Sequence, residues 1–180
     1  MPDTPDLPDV RDVTAFDGLS PAEAAAALAP CCASRQWAAT VIAGRPYGTL
    51  ARLTAASDAA IAALDWAGIS EALAAHPRIG DAGAAAPGRE AAWSAAEQSA
   101  AMAAGLTDRD RLAAGNAAYE RRFGHVFLIC AAGRSAADML AAQARRMGND
   151  PAAEREVVRA ELLAIVALRL ERRFPRHGAP

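Results

Sequence analysis

The chain has 180 residues and a mass of 18.6 kDa, is 53% hydrophobic and 22% charged, and carries a formal net charge of -2, which fits one globular domain able to bury a core without disulfides or metals. This charge balance leaves no basic footprint for nucleic acid, and no apolar run reaches the roughly 18 residues of a membrane span. Alanine supplies 51 residues and is the best helix former, so the expectation is all-α.

Residues 1–17, rich in proline and aspartate, read as a flexible, extended segment ahead of one domain over 18–174, with a short tail at 175–180. Ser20-Pro21-Ala22-Glu23 then reads as a helix start, with serine as cap, proline first and glutamate third. That helix runs to about Ala29. A second covers Ser34 to Ile42, with Trp37 and Val41 on one face, until Gly44-Arg45-Pro46-Tyr47-Gly48 breaks it. Thr49 to Leu64 is helical again. A short turn of helix over Ser70 to Ala75 stops before His76-Pro77, because a residue preceding proline is pushed out of α geometry.

Glycines and a proline mark 80–88 as a loop, and Arg89 to Ala104 as the next helix. Thr107 is expected to cap a helix reaching Phe123, with Leu112, Asn116, Tyr119 and Phe123 on one side and Gly124 as its stop. His125 to Cys130 is β-like but has no second strand to pair with, so it reads as a buried extended segment or a helix start. Ser135 to Met147 is helical with Gly148 as its cap, and Asp150-Pro151 opens a last helix to about Phe174. The sum is a single-domain, all-α bundle of about eight helices.

The N-terminus is acidic and proline-rich, unlike a signal or transit peptide, and the C-terminus is no peroxisomal signal. Three cysteines, two of them adjacent, argue for a reducing compartment; the cytoplasm is the expected location. All 19 basic residues are arginine. Without lysine there is no Schiff base, no pyridoxal phosphate linkage and no Walker-type phosphate loop.

Three places have the residue types for chemistry. His76 sits where a helix gives way to a glycine-rich loop, and is either a proton-transfer group or a surface histidine ending a helix. Ser94, Glu97 and Gln98 share one face at i, i+3 and i+4; they line a polar cavity or form a solvated face. Arg169 continues the stripe Val158, Leu162, Ile165 of the last helix. An arginine there snorkels, pairs with a carboxylate such as Glu161, or grips an anion.

His76-Pro77-Arg78-Ile79-Gly80, Ser94-x-x-Glu97-Gln98, Asn116-x-x-Tyr119-x-x-Arg122-Phe123-Gly124, the run from His125 to Arg134, Gly148-Asn149-Asp150 and Leu168-Arg169-Leu170 occur in this order. Together, over about residues 18–174, they resemble the OHCU decarboxylases, OHCU being 2-oxo-4-hydroxy-4-carboxy-5-ureidoimidazoline of urate degradation. The resemblance implies an all-α fold, a homodimer, and a cofactor-free decarboxylation of a small ureido-imidazoline to (S)-allantoin. It implies that His76 and Glu97 are catalytic, with Glu97 holding the histidine, and that Pro77, Ser94, Gln98 and Arg169 line or grip the substrate. Arg172 and Arg173 are alternatives to Arg169. Leu128 and Ile129 would offer main-chain contacts. The other readings are a non-catalytic helical module that binds a small carboxylate, and an enzyme of this fold acting on a different ureide.

Overall fold

A computed structural model describes residues 12–79 and 106–175. Eight helices are present among them: α1 (Val13–Asp17), α2 (Pro21–Leu28), α3 (Arg35–Ala43), α4 (Leu50–Ala62), α5 (Trp66–Ala74), α6 (Leu106–Phe123), α7 (Ala136–Arg146) and α8 (Pro151–Arg173). The described residues contain no strand.

Local chemistry sets most of the boundaries. Ser20 and Glu23 form a reciprocal capping box at α2, and Ser135 and Asp138 form another at α7. The Asp150 carboxylate accepts from the amides of Ala152 and Ala153 and starts α8, with Pro151 at its first position. Gly124, at φ +76°, ends α6 in a conformation that a side chain resists.

Four expectations shift. α1 is helical where an extended segment was expected; it buries Val13 and Phe16, and Phe16 meets Phe174 edge-on at 5.3 Å. α5 starts at Trp66, not Ser70, because the Asp65 side chain caps it by accepting from Gly68 N at 2.8 Å. Thr107 lies inside α6 rather than capping it. The cap of α7 is Met147, one residue before Gly148.

Among the described residues two apolar clusters result. The larger joins α1 to α5 with α8, through Phe16, Trp37, Leu53, Ile69, Leu162 and Val166 among others. Each such side chain contributes about 1.5–3 kcal/mol on burial. The smaller joins α6 and α7 through Leu112, Tyr119 and Met139. The segment after Gly124 runs extended, so alternate side chains point opposite ways: Leu128 enters the first cluster, Phe127 and Ile129 the second. This segment is therefore the seam between the two halves.

Polar groups pin the same frame. Trp37 Nε1 donates to Ser57 Oγ at 3.1 Å and ties α3 to α4. Arg159 of α8 donates to the carbonyls of Ile61 and Leu64 at 2.8 and 2.9 Å, placing a cation at the negative C-terminal end of α4. Glu154 is fully buried, and accepts from Tyr119 Oη, from Arg146 Nε at 2.8 Å and from Asn149 Nδ2 at 2.7 Å. Arg146 also donates to the Leu128 carbonyl at 2.7 Å, so this network holds the seam.

Candidate active site

α5 ends at the proline-containing segment 76–79, and this places His76 inside the protein, 8% exposed. Its Nδ1 lies 2.8 Å from the carbonyl of Ala72, one helical turn back. A carbonyl only accepts, so Nδ1 carries the hydrogen and Nε2 keeps its lone pair. Nε2 is buried and has no hydrogen-bond partner among the described residues.

Two effects compete over a histidine: burial and nearby cations lower its pKa, a nearby carboxylate raises it. Here burial, then the charge of Arg169, push His76 down to about 4. The ring is neutral at physiological pH, with its basic nitrogen inside the protein. At Nδ1 it is the Ala72 carbonyl that holds the ring; Glu97, the carboxylate expected to hold it, lies outside the described residues.

Arg169 is fully buried on α8, in line with Val158, Leu162 and Ile165. One guanidinium nitrogen lies 3.4 Å from the Cys31 carbonyl. Glu161, the carboxylate weighed as its partner, is engaged elsewhere: it accepts from Cys130 N at 2.8 Å and faces Arg134. Of the alternatives, Arg172 is exposed, and Arg173 is buried against the Ala27 carbonyl and the Phe174 ring. The fold thus brings His76 and Arg169 into one electrostatic neighbourhood.

Pro77 is half-buried beside His76. Leu128 and Ile129 are buried in the seam, where the Leu128 carbonyl accepts from Arg146. Ser94, Glu97 and Gln98 lie outside the described residues. Among the described residues no group of three His, Cys, Asp or Glu side chains is set to hold a metal, and no helix is long and apolar enough to cross a membrane.

The family model described as OHCU decarboxylase matches residues 17–171. The chain belongs to the OHCU decarboxylase family. It is 34% identical over 139 residues to the 2-oxo-4-hydroxy-4-carboxy-5-ureidoimidazoline decarboxylase of Amia calva, a match over 74% of this chain and 77% of that protein. It is 33% identical over 149 residues to the uric acid degradation bifunctional protein TTL of Arabidopsis thaliana, over 80% of this chain. The match spans only 45% of the length of that plant protein.

Among solved structures, that of an OHCU decarboxylase in the presence of (S)-allantoin superposes with a TM-score of 0.70 at 27% identity, over 82% of this chain and 96% of that one. A structure of (S)-allantoin synthase matches with a TM-score of 0.69 at 20% identity, over 93% of this chain and 56% of that one, and shows likeness of fold. The all-α expectation agrees with both.

The remaining family motifs of this chain have work in its frame. Arg122 Nη2 donates to the Asn149 carbonyl at 2.9 Å, Tyr119 and Asn149 both reach Glu154, and Asn116 Nδ2 donates to the Ile79 carbonyl at 2.9 Å. Sequence reading missed Gln143, whose Nε2 donates to Asn116 Oδ1 at 2.9 Å. A signal was there: on α7, Met139, Ala142, Gln143 and Arg146 form one buried stripe, polar where it should be apolar.

Proposed function

We propose that this chain decarboxylates OHCU to (S)-allantoin and CO2, with His76 Nε2 as the base and Arg169 as the grip on the substrate carboxylate. The observation that carries the reading is a buried, neutral histidine whose tautomer is set by Ala72 and whose Nε2 lacks a partner among the described residues. The guanidinium fork suits a planar carboxylate.

The reaction follows from the substrate. Its carbon 4 carries a hydroxyl and a carboxylate and neighbours a C=N bond, so the molecule holds its own electron sink. Nε2 takes the hydroxyl proton. The bond from carbon 4 to the carboxylate breaks, CO2 leaves, and the pair forms a C=C bond while the C=N pair passes to nitrogen. One proton from water completes that nitrogen. The imidazolium then returns its proton to carbon 5 on one face, which makes (S)-allantoin.

With Nδ1 taken by Ala72, Glu97 is assigned to the substrate, relaying the water-derived proton. Pro77, Ser94 and Gln98 line the pocket, and the main chain at Leu128 and Ile129 borders it. The working unit is a cytoplasmic homodimer, and sedimentation of the purified protein checks its mass. General acid–base help is worth roughly 10²–10⁴-fold.

The test is a coupled assay. Urate is converted in situ to OHCU, and circular dichroism follows optically active allantoin. The reading expects a fast one-signed signal that His76→Ala loses. A slow, unsigned background unaffected by the protein would move the activity to another substrate.

A further inference from the structure

The segment that carries His76 is gripped from α6. Asn116 is 3% exposed, and its Nδ2 donates to the Ile79 carbonyl at 2.9 Å. Its Oδ1 accepts from Gln143 Nε2 at 2.9 Å; Gln143 is 4% exposed. The carbonyl of Ile79 only accepts, so the Asn116 amide has one orientation, and Gln143 reinforces it. One turn further along α6, Glu120 takes Arg78 through a two-point ion pair of 2.6 and 2.8 Å. That pair is partly exposed, at 53% and 24%, and so weak, whereas the buried amide has no water to replace its partner.

Gly115 seats the relay. A Cβ there would lie 1.8 Å from Gln143 Oε1 and 2.4 Å from its Cδ. No side chain other than hydrogen leaves Gln143 where it is.

We propose that Asn116, held by Gln143 over Gly115, is a positioning residue for His76: through the Ile79 carbonyl it sets the path of residues 76–79 and so the aim of Nε2. The inference rests on His76 as the base. Ala72 fixes which nitrogen faces the substrate, and the relay fixes where that nitrogen sits. Binding is set separately, because Arg169 is carried by another helix, α8. Misplacement of a reacting group by about 1 Å can cost on the order of 100-fold in rate.

The experiment compares Asn116→Ala, Gly115→Ala and His76→Ala in the OHCU assay, with rates scaled to folded enzyme from thermal melts. Asn116→Ala should lose at least about tenfold in kcat while KM moves less than about threefold. Gly115→Ala covers the case in which Asn116→Ala does not fold. It improves helix propensity and leaves Asn116 in place, yet pushes Gln143 aside, so kcat per folded enzyme should fall. If His76→Ala is inactive while both relay variants keep wild-type kcat, or raise KM alone, the positioning role is overturned. A fully active His76→Ala overturns the catalytic reading and the relay with it.

Discussion

Arg169 and His76 are coupled across the fold: burial first, and then the charge of the fully buried guanidinium on α8, lower the pKa of the buried imidazole at the end of α5. Each residue explains the other. A cation that binds a carboxylate also disfavours the imidazolium, and a neutral imidazole is what a base must be before the reaction. In the proposed reaction, an anionic substrate over the guanidinium would ease Arg169's share of the penalty on the imidazolium as the ring takes a proton.

Arg169→Gln should therefore have two effects. Loss of the charge-assisted grip should cost about 1.5–3 kcal/mol of binding, roughly tenfold to a hundredfold in KM. The pKa of His76 should also rise. Kinetics and a histidine titration of the variant check both; an unchanged KM would remove Arg169 from the site.

Stability should depend on pH through the same ring. The unfolded chain binds the proton near the ordinary value of 6.5, the folded chain only near 4. Between these values the unfolded state holds more protons, so stability falls as pH falls. The contribution is complete above about 6.5 and lost below about 4, and amounts to roughly 3 kcal/mol at most. Urea titrations at about pH 7 and about pH 4 should show a smaller loss in His76→Gln than in the wild type.

The Glu154 network predicts a graded series. Glu154→Gln leaves the buried Arg146 charge unpaired, and should cost about 3–5 kcal/mol. Tyr119→Phe removes one hydrogen bond to that carboxylate but leaves Arg146 and Asn149 on it, and should cost about 1.5–3 kcal/mol. Burial and Glu154 raise the Tyr119 pKa well above the ordinary phenol range, so its hydroxyl remains a donor throughout the working pH. Chemical denaturation ranks the two variants; a larger loss in Tyr119→Phe would contradict the assignment.

Arg159→Met should keep the stem of the side chain but strip the carbonyls of Ile61 and Leu64 of their donor. The expected loss is about 1.5–3 kcal/mol, and hydrogen exchange should show the last turn of α4 opening first.

The parts legible in the sequence are those whose cause is local. Ser20, Ser34, Ser135 and Asp150 cap the helices that follow them, and periodicity alone puts Arg169 on the apolar stripe of the last helix, where the structure buries it. What was missed depends on partners far along the chain. α1 forms in an aspartate-rich stretch because Phe16 packs on Phe174, at the other end of the described chain. The first turn of α5 contains Gly68, a poor helix former, at a point where a Cβ would crowd the side-chain ends of Leu64 at 2.9 Å and Gln36 at 3.1 Å. Asn116 stands out as a motif residue, but its hold on Ile79 is a long-range contact that no spacing reveals.

The most direct test of the account is the titration of His76 by NMR of its ring nitrogens in the free protein. The account predicts a neutral Nδ1–H tautomer through the neutral range, with protonation only near 4. A ring that titrates near 6.5, or one with the hydrogen on Nε2, would contradict it.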